Sequence, residues 1–229
     1  MATACPAERN NMIPLFSNAT VLWTEREIEE RDALIRLIAT IVRDAWQGLN
    51  PAVTMIRVET PILTPAGHLG GHIAAGFELL GTERGYLRPE TTAGTFAALD
   101  ALFPQQAQRM KRLPVCLWQA GKSFRDEAHG ETMRATKLRL REFWQQEFQL
   151  FCRPDTKADY IGAALEALTA RFGGEAAPAD ELPHYSRRTV DWHMRGLEVA
   201  GCSERTDWPE GVVFEVAIGL DRLVALKGA

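Results

Sequence analysis

The sequence is short of cysteine, has no long apolar run and carries no excess of basic charge, and each shortage excludes a class of protein. Its four cysteines, Cys5, Cys116, Cys152 and Cys202, stand far apart, with no CxxC pair and no Cys/His cluster. That spacing argues against a zinc site and against a disulfide framework, and reads as reduced, packed thiols of a cytoplasmic protein. No stretch approaches the roughly 18 consecutive apolar residues of a membrane span. The N-terminus has neither the apolar core of a signal peptide nor the Arg-rich pattern of a transit peptide, so no membrane partner is expected. Lys and Arg number 26 against 30 Asp and Glu, a formal net charge of −4. There is thus no global basic field to gather nucleic acid, and any RNA contact has to come from a local patch. Internal repeats and low-complexity tracts are absent as well.

What is present is a chain of 229 residues, 46% hydrophobic, long enough to bury a sizeable core in one domain with little room for a second. Residues 1–20 lack periodicity and read as a loosely held arm, leaving 21–229 as a single domain. Thr24 and Glu27 have capping-box spacing, and Ile28, Leu34, Ile35, Ile38, Ile41, Val42 and Ala45 follow at helical intervals. Val53–Val58 has the β-branched content of a strand. A helix is expected to start near Thr92 and to end around Pro104 or run on to Met110, and Leu113–Trp118 reads as a buried strand. Asp155 is the expected cap of an amphipathic helix through Phe172, closed by Gly173 and Gly174. The stretch 174–183 reads as a linker or surface loop, and Arg187–His193 alternates as a strand.

The chemistry concentrates in Lys122–Glu127 and in the run Leu138–Phe151. In a strand, alternate residues share a face. Arg139, Arg141, Phe143, Gln145, Glu147 and Gln149 fall on one side, with Leu138, Leu140, Trp144, Phe148 and Leu150 on the other. Glu142 and Gln146 are polar exceptions on the apolar side. A hairpin through 128–137 would set this face beside Arg125 and Glu127, making a floor of guanidinium, carboxylate, amide and one aromatic ring. Such a floor suits a nucleoside triphosphate, although a solvated hairpin face with ion pairs fits the periodicity as well.

Phe124-Arg-Asp-Glu, a loop, then Arg141-Glu-Phe-x-Gln-x-Glu resembles motif 2 of class II aminoacyl-tRNA synthetases in the form seen in glycyl-tRNA synthetases. The long helix, strand and Pro61 resemble motif 1, which forms the dimer interface in that class, so a homodimer is implied. Tyr86-Leu-Arg-Pro-Glu-Thr-Thr-Ala-Gly-Thr-Phe96 closely matches the Leu-Arg-Pro-Glu-Thr-Ala-Gln-Gly-x-Phe signature of the family. Leu197–Asp207 resembles its Glu-x-x-Gly-Ile-Ala-x-Arg-x-Asp segment, and Val212–Leu226 resembles motif 3.

The resemblance implies an α+β fold, a class II synthetase-like antiparallel sheet flanked by helices. It also implies ATP-dependent amino-acid activation, with ATP as substrate and Mg2+ as cofactor. Arg125 and Arg222 would be the catalytic pair, clamping the α- and γ-phosphates. Glu127, Arg139 and Phe143 would complete the ATP site, with Phe143 stacking on adenine and Glu127 reading its amino group; Glu198 would hold the magnesium. Arg88, Glu90, Gln145, Glu147, Glu215 and Ala217 would form the amino-acid site. Three carboxylates, Glu90, Glu147 and Glu215, repel one another unless a cation sits among them, which argues for a ligand with an ammonium group.

Glycine is the first guess for the amino acid. Val216-Ala217 replaces the Pro-Ser of the family and removes a hydroxyl from the site. Nothing in the sequence follows the motif 3 helix, so an anticodon-binding domain is not expected. Transfer to tRNA therefore stands beside two alternatives: a stand-alone ligase that loads a carrier protein or small molecule, and an inactive paralogue that serves as a binding subunit.

Overall fold

A computed structural model describes residues 13–16, 20–76, 79–126 and 138–227. Seven strands form the main sheet: β1 (Thr54–Arg57), β2 (Val115–Phe124), β3 (Glu142–Cys152), β4 (Glu175–Pro178), β5 (Ser186–Met194), β6 (Leu197–Arg205) and β7 (Val212–Gly219). Their order across the sheet is β1-β2-β3-β7-β6-β5-β4. Only β1 runs parallel to its neighbour; every other pairing is antiparallel. Four helices matter most to the site: α1 (Glu25–Leu49), α2 (Thr92–Leu102), α3 (Tyr160–Phe172) and α4 (Leu220–Lys227).

The two faces of the sheet do different work, and the alternation in β3 shows how. Phe148, Leu150 and Cys152 point to one side, where they meet Leu34, Ile38, Val42 and Trp46 of α1, Ile161 and Leu168 of α3, and Leu223 of α4 in the main core. Thr24 starts α1 as its capping residue, its N–H donating to Glu27 Oε2 at 3.1 Å. Trp46 Nε1 donates to the Tyr160 carbonyl at 2.8 Å and so ties the end of α1 to the start of α3. Gln146, the polar exception on this face, is buried and donates from Nε2 to the Ile35 carbonyl at 3.0 Å.

The opposite face is divided. At one end α2 covers it, packing Leu99 with Leu117, Phe151, Val213 and Trp208 in a second core. Beyond α2 the same face carries polar residues and opens into a cleft. No helix among the described residues is long and apolar enough to cross a membrane.

Several sequence expectations change. Near the N-terminus, Ile13–Phe16 pairs with Thr20–Leu22. Asp159, not Asp155, caps α3, its side chain accepting from the Gly162 N–H at 3.0 Å. Within 174–183, Glu175–Pro178 is the edge strand β4, whose ladder with β5 no local sequence signal announces. Pro178 ends that strand, where a missing N–H is tolerated. The helix starting at Thr92 stops at Leu102, and Gln106–Arg112 is a separate helix beyond Pro104. Arg88 and Glu90, which two-residue spacing would put on one face of a strand, instead follow a short strand, Gly85–Leu87.

Phe148 is fully buried, stacked on Trp118 at 5.6 Å and edge-on to Trp46 at 6.2 Å. Phe148→Ala is expected to cost about 3–5 kcal/mol through lost burial and a residual cavity. Urea unfolding of the two proteins would check this.

Candidate active site

The register of the sheet builds the floor of the cleft. Glu147 of β3 faces Gln119 of β2 and Ala217 of β7, and Ala217 in turn faces Gly201 of β6. One residue pair along, Gln149 faces Glu215, which faces Ser203. The cleft above has a volume of about 770 Å³, and Glu90, Arg125, Phe143, Glu147, Glu215 and Arg222 are among its walls.

At one end lie the three carboxylates, all buried: Glu90, Glu147 and Glu215. The cation among them is the protein's own Arg205, which is 1% exposed. Its Nη1 contacts Glu215 Oε2 at 2.8 Å and Glu90 Oε1 at 3.4 Å, while Nε and Nη2 donate to the two oxygens of Asp207 at 3.1 and 2.7 Å. The guanidinium lies 3.6 Å over the Tyr185 ring. Burial opposes the charge on Arg205, but Glu215, Glu90 and Asp207 hold its pKa well above the ordinary value. Against the cost of its own burial, Arg205 and His72 keep Glu90 below the usual carboxylate range; His72 Nε2 is 3.3 Å from Glu90 Oε1.

Glu147 differs. Its partners among the described residues are neutral: the Thr91 N–H at 3.1 Å, the Thr91 hydroxyl at 2.5 Å, Gln149 Nε2 at 3.1 Å and the Gln145 amide. Burial, then the charges of Glu90 and Glu215, push Glu147 up to about 7, against the pull of those hydrogen bonds. Glu215 is also raised by burial, with Arg205 opposing and Glu90 adding. Arg205 is thus shared among Glu90, Glu215 and Asp207, while the hydrogen-bond partners of Glu147 among the described residues are neutral.

At the other end the charges reverse. Arg125 sits 5.2 Å over the Phe143 ring and donates to the Pro89 carbonyl at 3.2 Å. Arg222, at the start of α4, donates to the Glu198 carbonyl at 2.7 Å and lies 3.4 Å from its carboxylate. Burial lowers the Arg222 pKa, Glu198 raises it, and Arg125 and Arg139 lower it again, because the three guanidiniums crowd one another. Guanidiniums that converge in this way can meet the charge of an anion. Asp221, which the sequence reading missed, is buried and pushed up to about 7 by that burial; its Oδ2 accepts from the Trp144 N–H at 2.5 Å. It thereby ties the strand bearing Phe143 to the helix bearing Arg222.

Glu198 has a second acid beside it. Burial and Glu198 both raise Asp191. Among the described residues no group of three or more His, Cys, Asp or Glu could hold a metal. Two carboxylates in a cleft nevertheless fit magnesium, which takes one or two protein carboxylates and fills its remaining positions with phosphate and water.

The sequence-predicted residues thus divide. Glu90, Gln145, Glu147, Glu215 and Ala217 line one end of the cleft, and Arg125, Arg139, Phe143, Glu198 and Arg222 line the other. Arg88 stands behind it, 4% exposed, donating from Nε to the Lys122 carbonyl at 2.7 Å and from Nη1 to the Thr60 carbonyl at 2.8 Å. Gly121 makes room for it, since a Cβ there would fall 2.2 Å from Arg88 Nη2. Glu127 lies outside the described residues. Arg205 was missed as a site residue, yet the period of two in Leu197–Arg205 puts it on the face of Gly201 and Ser203.

Removing Arg205 would leave Glu90 and Glu215 uncompensated. Arg205→Ala is expected to destabilise the fold by about 3–5 kcal/mol at pH 7.5. The sign of the pH effect follows from the two acids. In the native protein Glu90 is depressed, so its contribution is present above the unfolded value and is lost on acidification. In the variant both carboxylates are raised, so stability recovers as pH falls toward their unfolded values. Urea unfolding at pH 7.5 and 5.5 should show the gap between the two proteins narrowing at the lower pH.

A family model of the tRNA synthetase class II core domain (G, H, P, S and T) matches residues 77–175. The glycine--tRNA ligase of Bacillus anthracis is 32% identical over 141 residues, covering 54% of this chain and 29% of that protein. The enzyme of the same name from Deinococcus radiodurans is 30% identical over 142 residues, covering 56% of this chain and 27% of that protein. These matches therefore span under a third of the length of the curated relatives. In the fold comparison, the Desulfitobacterium hafniense PylSc structure, a pyrrolysyl tRNA synthetase, has a TM-score of 0.56 and 17% identity, covering 89% of this chain and 74% of that one. With the mixed, largely antiparallel sheet and its flanking helices, these matches support a class II aminoacyl-tRNA synthetase catalytic core.

Proposed function

We propose that the protein activates a small amino acid, glycine first, with ATP and passes it to tRNA. The observation that carries this reading is the segregation of charge in one cleft, with Glu90, Glu147 and Glu215 at one end and Arg125, Arg139 and Arg222 at the other. An amino acid beside a triphosphate has that same pattern, an ammonium group at one end and phosphates at the other.

In the proposed reaction a carboxylate oxygen of the amino acid attacks the α-phosphorus of ATP. The bond from that phosphorus to the bridging oxygen breaks, and pyrophosphate leaves as an aminoacyl-adenylate forms. Neither reactant has to lose a proton, so positioning and charge stabilisation carry the rate. Glu147, with its neutral partners, is the principal counter-ion for the ammonium, and Glu90 and Glu215 complete the site. Phe143 stacks on adenine, Arg125 holds the α-phosphate and the amino-acid carboxylate together, and Arg222 with Arg139 meets the outer phosphates. Glu198 and Asp191 would hold magnesium, which when bound offsets phosphate charge.

Glycine is supported by the similarity to the two ligases named above. The described cysteines, Cys116, Cys152 and Cys202, are free and buried, which supports a reducing, cytoplasmic setting.

Amino-acid-dependent exchange of pyrophosphate into ATP tests the reading. Activity should be highest with glycine, and Arg125→Ala should lower it a hundredfold or more, the scale for losing a charge-assisted contact in the transition state. No exchange with any of the twenty amino acids would sink the enzyme reading. The resemblance of α1 and the Pro61 region to motif 1 further supports a homodimer. Sedimentation at micromolar concentration should give twice the chain mass of 25.5 kDa.

A further inference from the structure

We propose that Thr92 and Gln149 form a neutral clamp that holds Glu147 and Glu215 together from behind, and that this clamp sets the affinity of the ammonium subsite. Resting on the activation reading above, it assigns positioning roles to two residues that do not line the cleft themselves.

The two acids offer the same atom to the same two donors. Thr92 Oγ1 lies 3.0 Å from Glu215 Oε2 and 3.4 Å from Glu147 Oε2. Gln149 Nε2 lies 3.1 Å from Glu147 Oε2, 3.2 Å from Glu215 Oε2 and 3.2 Å from Thr92 Oγ1. Arg205 Nη1, at 3.4 Å, donates to the threonine oxygen from the other side. A hydroxyl has one proton to give and an amide nitrogen two. Thr92 accepts from Arg205 and directs its proton to a carboxylate, while Gln149, with two protons for three acceptors, can give one to each acid. Two buried carboxylates are thus held with their oxygens converging, although a cation touches only Glu215. The Oε1 atoms are not engaged by the clamp.

Gln149 shows a cost consistent with this role. Its own Oε1 is buried without a partner, a loss typically worth about 1–3 kcal/mol. Flipping the amide would turn oxygen toward two carboxylate oxygens, so the orientation present serves the acids at the expense of the amide. Thr92 opens α2, and the preceding Thr91 gives both its N–H and its hydroxyl to Glu147, so consecutive residues at one helix N-terminus serve the same pair of acids. In the signature that Tyr86–Phe96 resembles, the position of Thr92 is alanine, so the hydroxyl is a feature of this chain.

The test compares Thr92→Val, which keeps the shape and removes the hydroxyl, with Thr92→Ser, which keeps the hydroxyl. Glycine binding is read by calorimetry and, separately, as KM in pyrophosphate exchange. The valine variant should bind glycine roughly tenfold or more weakly, the scale for losing a hydrogen bond to a charged group, with KM for ATP unchanged. Its glycine affinity should also need higher pH to reach a plateau, since the acids lose a donor to their charged form. The serine variant should restore both within about twofold. Equal glycine affinity in all three proteins, a parallel rise in KM for ATP, failure of serine to restore binding, or no glycine binding by the native protein would each overturn the clamp. Glycine binding with the expected ratio but no exchange in the native protein would uphold the clamp and overturn the activation reading instead.

Discussion

A carboxylate removed from water costs several kcal/mol unless cations or hydrogen bonds meet its charge, and this protein buries three of them side by side. The arrangement is stable because Arg205 is buried with them, joined to Glu90, Glu215 and Asp207 and stacked on Tyr185. Everything around it serves to keep that geometry. The start of α2 directs Thr91 and Thr92 at the acids, and the apolar end of the same helix is pinned to the sheet by Leu99. The far face of the sheet is locked against α1, α3 and α4, so the strands carrying Glu147 and Glu215 have little freedom to separate.

The same economy shapes the anion end. Three arginines that crowd one another would be a poor structural choice for an isolated surface. Here two of them are held by short links: Arg125 to the Pro89 carbonyl and the Phe143 ring, and Arg222 to Glu198. Asp221 joins β3 to α4 from beneath. Repulsion within each end of the cleft and the opposite charges of the two ends favour a ligand carrying both signs, which is the physical content of the amino-acid and nucleotide reading.

Much was legible in the chain because its signals are local. The period of two in Leu138–Phe151 predicted which residues of β3 share the cleft face, and Gln145 and Glu147 line the cleft with Phe143 while Gln149 supports the acids from behind. The helical spacing from Ile28 to Ala45 and the Thr24–Glu27 pair located α1, and the last motif string placed Glu215 on a strand and Arg222 on the helix that follows it. Where the signal was weak, the reading slipped: Glu175–Pro178 has no strand pattern and becomes β4 because β5 offers an open edge, and the cap of α3 moves to Asp159.

Sequence alone therefore determined most element types, the polar and apolar faces of the central strands and many of the chemical groups in the cleft, since each follows from residues a few positions apart. Only the tertiary structure decided how those groups are paired. Arg205 meets Glu90 across 115 positions and Thr92 meets Glu215 across 123, separations that no periodicity spans. Arg88, two residues from Glu90, was turned away from the cleft by carbonyls at Thr60 and Lys122. The charge state of each acid depends on which cation the fold brings to it and how deeply it is buried. Those are properties of the packed sheet and helices rather than of any segment of the chain.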